Sequence, residues 1–356
     1  MSRRDIYYWK CDRPAAFHGT QDKRQPTTPI EQQLVETLKQ RVGSDIQLAP
    51  SGSQGNHLTW NALVDGQPMF LRVEDGPEAD AHLEVESGIM RAVAAAGVRV
   101  PRIHAVDASR SEVPLAWQLM ERIPFPDLNQ WFKSGELAVD QVAHEIGAAV
   151  ARWQSITFSG FGPLEADGQA FGGVHCSYES YFHTRLDHHL RFLQEESFLS
   201  AGQCAEVRDA ISDHQTLLAM AEGCLVHKDL ALWNILGSSS HIAAFIDFDD
   251  AISGDSMDDL SLLACFHDSS FLQSAFAGYQ SIRPLLPEHR RRFWLHLLRN
   301  MIVKAVIRVG AGYFDRDDGF FLIGSGSSGH DLKRFTLARI DKALHCLRQD
   351  ADIDAL

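Results

Sequence analysis

The sequence has no run of roughly 18 apolar residues, and Met1 to Lys10 contain no apolar core of signal-peptide length. A membrane span is therefore not expected, and the reading is a soluble, unsecreted, cytoplasmic protein. The six cysteines (Cys11, Cys176, Cys204, Cys224, Cys265, Cys346) form no Cys-x-x-Cys pair, which gives neither a zinc site nor a disulfide framework and suits a reducing cytosol. Basic residues are also short: 33 Lys and Arg against 47 Asp and Glu leave a formal net charge of −14. Polyanions are repelled, so neither nucleic acid nor an anionic membrane is expected as a partner. The acidic balance favours a cationic small molecule, or it is simply a solvated surface that keeps the chain soluble. No internal repeat occurs, and the one biased stretch, Gly324 to Gly329, reads as a surface loop.

What is present suits a two-part globular chain: 356 residues, 45% hydrophobic and 22% charged. Residues 1–28 carry Tyr7, Tyr8, Trp9 and Phe17 without periodicity and read as an extension of unassigned role. Thr28, Pro29 and Glu31 then make an N-cap, a first-turn proline and half a capping box, ahead of Ile30, Leu34, Val35, Leu38 and Val42 on one helical face. From Ile46 to Val73 short runs are punctuated by Gly52, Gly55 and Asp65-Gly66, which predicts two or three antiparallel strands. A helix over Ala79 to Ala95 and strands over Val100 to Val106 and Leu115 to Glu121 complete a small mixed lobe, 29–122. Ile123-Pro124-Phe125-Pro126 is a stiff connector. Residues 123–356 are expected to be mainly helical, over Val139–Ile156, Tyr178–Leu193, Gln203–Met220, His289–Val309 and Leu332–Leu347. The expected fold is thus α+β and bilobal, with a small mixed β-sheet N-lobe and a larger helical C-lobe.

Two strand-like runs break the helical texture, Cys224–Val226 and Ile242–Phe248. Between them His227-Lys228-Asp229 precedes Asn234, and Ile246-Asp247 ends the second run. A short hairpin turn joining the runs brings Asp229, Asn234 and Asp247 to one end. Phosphoryl transfer needs such a set: a carboxylate to orient and deprotonate a hydroxyl, and oxygen ligands for magnesium. Asp249, Asp250 and Asp258 read instead as a solvated acidic turn. His188 and His189 are adjacent and diverge on a helix, so they are not a metal pair.

The ordered motifs resemble the aminoglycoside phosphotransferase and choline kinase superfamily, whose pattern is His-x-Asp, Asn five residues on, Ile-Asp, then Gly-Asp-Pro-x-x-Asp-Leu. The chain carries Gly254-Asp255-Ser256-Met257-Asp258-Asp259-Leu260 in the last place. The resemblance spans roughly Asp45 to Leu263 and implies a protein-kinase-like fold. It implies Asp229 as catalytic base, Asn234 and Asp247 as magnesium ligands, His227 as a brace, and Asp255 and Asp259 as anchors. In the N-lobe it implies nucleotide contacts from Ser53, Gly55 and Asn56 in Ser51–Asn56, from Arg72 with Glu86 as partner (Glu84 being a rival), and from the main chain of Met120, Glu121 and Arg122. Three departures stand out: Lys228 in place of Gly, Ser256 in place of Pro, and Arg152-Trp153-Gln154 in place of a Leu-His pair. Lys228 adds a cation beside the base, with a phosphate or a substrate carboxylate as its expected partner.

Protein kinases need a long activation segment after the metal Asp, ending in Ala-Pro-Glu. Here Asp255 follows Asp247 closely and no such segment fits. The reading is an ATP- and Mg2+-dependent kinase, with GTP as the other donor, acting on a hydroxyl of an aminoglycoside-like antibiotic, a choline-like compound or a sugar. A catalytically weak nucleotide-binding regulatory protein is the alternative, ahead of a protein kinase. The acceptor site is expected in a helical insert, Phe158 to Met220, with Tyr178, Tyr181, His183, His188 and His189. Oligomeric state is not legible.

Overall fold

In a computed structural model the described residues are 3–12, 28–54, 57–74, 80–167, 170–316 and 328–356. The N-terminal half begins with a single turn, α1 (Trp9–Asp12), and a helix, α2 (Thr28–Arg41). There follow β1 (Ile46–Gln54), β2 (His57–Val64), β3 (Gln67–Glu74), α3 (His82–Ala95), β4 (Ile103–Asp107) and β5 (Trp117–Glu121). The five strands form one sheet in the order β1-β2-β3-β5-β4, antiparallel throughout. Asp65 and Gly66 both take positive φ between β2 and β3, the geometry a tight hairpin turn requires. Leu34 and Leu38 of α2 close one face of the sheet over Trp60, Leu71 and Leu119, all fully buried; each buried Leu contributes ~1.5–3 kcal/mol.

The C-terminal part comprises α4 (Leu128–Ser134), α5 (Val139–Trp153), β6 (Thr157–Phe158), β7 (Phe161–Asp167), β8 (Ala170–His175), α6 (Tyr178–Phe182), α7 (Leu186–Glu195), α8 (Ala201–Asp213), β9 (Gly223–Val226), β10 (Ile235–Ser238), β11 (His241–Phe245), β12 (Ile252–Gly254), α9 (Asp258–Leu263), α10 (Ser269–Gln280), α11 (His289–Gly310) and α12 (Gly329–Gln349). α5 and α10 pack backbone to backbone: a Cβ at Gly147 would lie 1.8 Å from the Ala275 carbonyl, and one at Gly278 would lie 1.9 Å from that of His144. Only glycine permits that approach. Among the described residues no helix is long and apolar enough to cross a membrane.

The structure departs from the sequence reading in four places. The insert after Phe158 opens as a β-hairpin, β7 with β8, rather than as helix. The helix expected over Tyr178–Leu193 is two, α6 and α7, broken where Arg185 takes φ 60. β9 does not pair with β11; it joins the five-stranded sheet β6-β9-β12-β7-β8, and β11 pairs with β10. Finally, α4 and α10 are added, each started by an Asp side chain accepting a main-chain N–H, Asp127 from Gln130 and Asp268 from Phe271.

Candidate active site

The loop between β9 and β10 carries the first part of the site. His227 is fully buried and holds the loop from inside: one ring nitrogen donates to the Ile246 carbonyl at 3.0 Å, and Nδ1 accepts the Asp229 N–H at 3.3 Å. Asp259, at the start of α9, accepts the main-chain N–H groups of His227 and Lys228 at 3.0 and 3.1 Å and the Trp153 indole N–H at 3.1 Å. Asp255 accepts from the Met257 N–H and pairs with Arg292 and with His296 at 3.4 Å. His227 and Asp259 thus hold the loop, and Trp153, one of the departures from the family pattern, is bound to Asp259.

Lys228 and Asp247 both take φ 68, the left-handed region. Non-glycine residues there cost roughly 1–3 kcal/mol and persist where the surroundings over-determine them. Asp229 is buried with both carboxylate oxygens engaged. Oδ1 accepts from the Tyr8 hydroxyl and from Lys304 Nζ at 3.3 Å. Oδ2 accepts from Lys10 Nζ and from the Asn234 amide at 2.9 Å, which also donates to the Asp229 carbonyl at 2.8 Å. Burial alone would raise the Asp229 carboxyl, but Lys10 and Lys304 outweigh it and hold the group well below the usual carboxylate range. Lys10 Nζ also lies 3.5 Å from Asp247, so one ammonium touches both acids.

Asp247 meets the N-terminal sheet through Arg72 on β3, whose Nη1 is 3.3 Å away. Arg72 Nη2 pairs with Glu86 on α3. Glu84, the rival, faces the other way and accepts the Ala108 N–H at 3.2 Å. Glu86→Gln is therefore expected to weaken nucleotide use roughly tenfold through a loosened Arg72, about 1.4 kcal/mol, with Glu84→Gln near neutral; nucleotide KM for the two variants checks this. Ser53 lies in β1 opposite Leu58, while Gly55 and Asn56 lie outside the described residues. Met120 and Glu121 end β5 and Arg122 follows, exposed. The Glu121 N–H is committed to the Arg102 carbonyl at 2.8 Å, so an adenine ring would have to use other main-chain groups of this stretch.

The acids read as a solvated turn are all buried, which corrects that expectation. Asp258 is 0% exposed and pairs with Lys228 Nζ at 2.7 Å. Lys228 also donates to the Tyr7 hydroxyl at 3.1 Å and to Asn300 at 3.2 Å, and so turns into the core instead of offering a charge beside the base. Asp249 lies 3.9 Å from His57, and Asp250 accepts the Trp9 N–H at 2.9 Å. Burial, with Asp249 adding to it, pushes Asp250 up to about 8. Between its ordinary value near 4 and about 8 the folded chain holds this proton more than the unfolded chain does. Its stabilising share is complete in acid and lost as pH rises toward about 8. Asp250→Asn keeps an acceptor for Trp9 and is expected to gain in Tm over the parent as pH rises from about 5 to about 8. A constant Tm difference would mean an Asp250 ionised throughout.

Most of the residues that sequence reasoning missed are in the extension, residues 3–12, which run into the site; Lys304 reaches it from α11. Tyr7 stacks on Tyr181, ring centroids 4.9 Å apart, with the Arg299 guanidinium 3.6 Å from its ring, and its carbonyl accepts the Tyr181 hydroxyl at 2.8 Å. Asp12 and His189 form a buried pair at 2.7 Å, His189 facing inward while His188 faces solvent. Arg3 pairs with Asp80 at 3.0 Å and donates to the Asp249 carbonyl at 3.3 Å. The segment thus lies between the insert residues and the loop that carries Asp229. Three aromatic residues in a row, Tyr7 to Trp9, were the available signal, but nothing in them names their partners.

A family model described as the phosphotransferase enzyme family matches residues 47–294, most of the chain and all the motifs above. The chain belongs to that family. No curated protein matches it in sequence. Among solved structures, the apo form of a thermostable mutant of an aminoglycoside phosphotransferase aligns at TM-score 0.60 and 17% identity, over 90% of this chain and 99% of its own. A putative aminoglycoside phosphotransferase from Ralstonia eutropha aligns at TM-score 0.61 and 16% identity, over 90% and 98%. A putative fructosamine-3-kinase from Thermobifida fusca aligns at TM-score 0.60 and 18% identity, over 86% and 98%. At these identities the likeness carries the fold, which is the bilobal protein-kinase-like one expected. The phosphotransferase reading rests on the family.

Proposed function

We propose that the chain is an ATP- and magnesium-dependent kinase of a small hydroxylated molecule, with Asp229 as base. The observation that carries this is the convergence of Asp229, Asn234 and Asp247, reached by Arg72 from the N-terminal sheet. In one of the structural neighbours the same fold holds ADP and hygromycin B, a nucleotide and a small acceptor. The donor set fits magnesium: the Asn234 amide nitrogen is turned to Asp229, which leaves its oxygen and the Asp247 carboxylate as hard oxygen ligands. Bound there, magnesium would offset charge on the nucleotide phosphates. Arg72, fixed by Glu86, would hold the phosphates from the sheet side, and the main chain at Met120, Glu121 and Arg122 would receive the base.

Asp229 would orient the acceptor hydroxyl and take its proton. The acceptor oxygen bonds to the γ-phosphorus, the bond from that phosphorus to the β–γ bridging oxygen breaks, and its electron pair leaves with the nucleoside diphosphate. Residues 29–122 would then carry the nucleotide and 123–356 the catalytic loop and acceptor. A nucleotide-consumption screen over hydroxyl compounds, with phosphorylated product identified by mass, tests this. Magnesium-dependent ATP binding with no acceptor consumed would favour the regulatory reading instead.

A further inference from the structure

We infer that the acceptor is an anion, a hydroxy compound bearing a phosphate or carboxylate near the reacting hydroxyl, gripped by Lys10 and Lys304. This rests on the kinase reading above and departs from the cationic acceptor that the chain's overall charge favours. Three other cations near the site each have an acid of their own, Lys228 with Asp258, Arg72 with Glu86 and Arg3 with Asp80, and Arg299 is spent on the Phe182 and Thr184 carbonyls and on His189. Asp229, by contrast, is met by two ammonium groups, Lys10 and Lys304. Lys10 also leans on Asp247 at 3.5 Å, an oxygen set that magnesium would claim. Asp249 lies 3.9 Å from His57, and Asp250 accepts the Trp9 N–H at 2.9 Å. With magnesium in place, two ammonium groups share one carboxylate at the spot the acceptor must reach.

The hydrogen-bond count sharpens the point. Both Asp229 oxygens are taken, by Tyr8 and Lys304 on one and by Lys10 and Asn234 on the other. An acceptor hydroxyl gains a lone pair only when one of these four donors gives way. Lys10, with a side chain 31% exposed, is freer to swing than Tyr8, 3% exposed and also held by Lys304 at 2.9 Å. Once displaced, the Lys10 ammonium has lost Asp229 and is open to a new counter-ion. An anionic acceptor supplies it, whereas a cationic one would meet two like charges. The segment 3–12 is thus the part of the acceptor site that selects for charge, held there by Tyr7 against Tyr181 and Arg299 and by Asp12 against His189.

The test uses the full chain saturated with AMP-PNP and magnesium, which fills the nucleotide's own phosphate subsites, and titrates inorganic phosphate by calorimetry. Phosphate is expected to bind the parent and to bind at least tenfold more weakly in Lys10→Met and in Lys304→Met, with AMP-PNP affinity retained as the sign of an intact fold. Lys10→Met alters a partly exposed side chain and decides the matter if Lys304→Met fails to fold. Phosphate binding equal in parent and variants overturns the inference. In the acceptor screen, anionic hydroxy compounds are expected to be consumed, with KM raised 10- to 100-fold by Lys10→Met. Turnover of cationic or neutral acceptors alone, abolished by Asp229→Asn, would overturn the anionic acceptor and leave the kinase reading standing. No acceptor of any charge, with ATP hydrolysis indifferent to Asp229→Asn, would remove the kinase reading itself, and the phosphate titration would still decide whether Lys10 and Lys304 make an anion site.

Discussion

Asp229→Asn is expected to lower kcat roughly 10²–10⁴-fold while nucleotide affinity stays within a fewfold. The substitution keeps the size of the side chain and an oxygen that can accept from Tyr8 and Lys304, but it removes the charge and the ability to take a proton. The nucleotide contacts keep other supports when that carboxylate is replaced: Arg72 is fixed by Glu86, Asp247 meets Arg72 directly, and the Asn234 amide that touches the carboxylate also donates to the Asp229 carbonyl at 2.8 Å. Some loss of stability must accompany the loss of rate, because Lys304, whose side chain is 8% exposed, would lose its acid and be left desolvated. Rates should therefore be measured well below the variant's own Tm. Turnover unchanged in a folded Asp229→Asn would remove Asp229 as base.

The parts of this site that could be read from the sequence are those whose spacing is local. Asp229 and Asn234 sit in one turn-rich loop, and Asp247 closes the hairpin that follows, so order and spacing carry their convergence. Helix phase decides between Glu84 and Glu86: both lie on α3, but only Glu86 is turned to β3, which a linear reading of two nearby acids does not show. The acids after Asp247 were misread for a related reason. A cluster of Asp residues is ordinarily solvated, but Asp258 is buried here against two partners distant in sequence, Lys228, 30 residues earlier, and Asn300, 42 residues later. Residues 3–12 were the least legible. Their contacts to Asp229 span 219 and 221 residues of sequence, and an aperiodic stretch with Tyr7, Tyr8 and Lys10 gives no sign of the surface it will fill. The β7–β8 hairpin was hidden by Gly160, Gly162 and Gly173, whose backbones lie too close for side chains and which break the alternation by which strands are recognised.

Lys228→Met is expected to cost roughly 3–5 kcal/mol of stability, because it leaves the fully buried Asp258 with an uncompensated charge. The Asn300 amide, donating to Asp258 at 2.8 Å, would be its main remaining donor beside α9. Asp258→Asn should cost a similar amount from the other side, stranding an ammonium that keeps only Tyr7 and Asn300. If the charge pair is the cause, the double variant Lys228→Met with Asp258→Asn must lose clearly less than the sum of the two, since neither buried charge remains to be stranded. Denaturant unfolding of the four proteins closes this cycle. The kinetic constants of the protein that stays folded should change only a fewfold, because Lys228 Nζ is spent on Asp258, Tyr7 and Asn300 and makes no contact with the Asp229 carboxylate. The opposite pattern, stability intact and turnover lost, would return Lys228 to the phosphate or substrate role that its place beside the base suggests. The left-handed backbone at Lys228, φ 68, explains why the inward turn is available: it swings this side chain away from its neighbour's, so that one short stretch of chain sends Lys228 into the core and Asp229 into the site. A glycine, which the family usually has here, would take that φ without strain. In this chain the strain is held by the Lys228–Asp258 pair, so the residue that departs from the pattern in the loop that carries Asp229 also fixes the loop's shape.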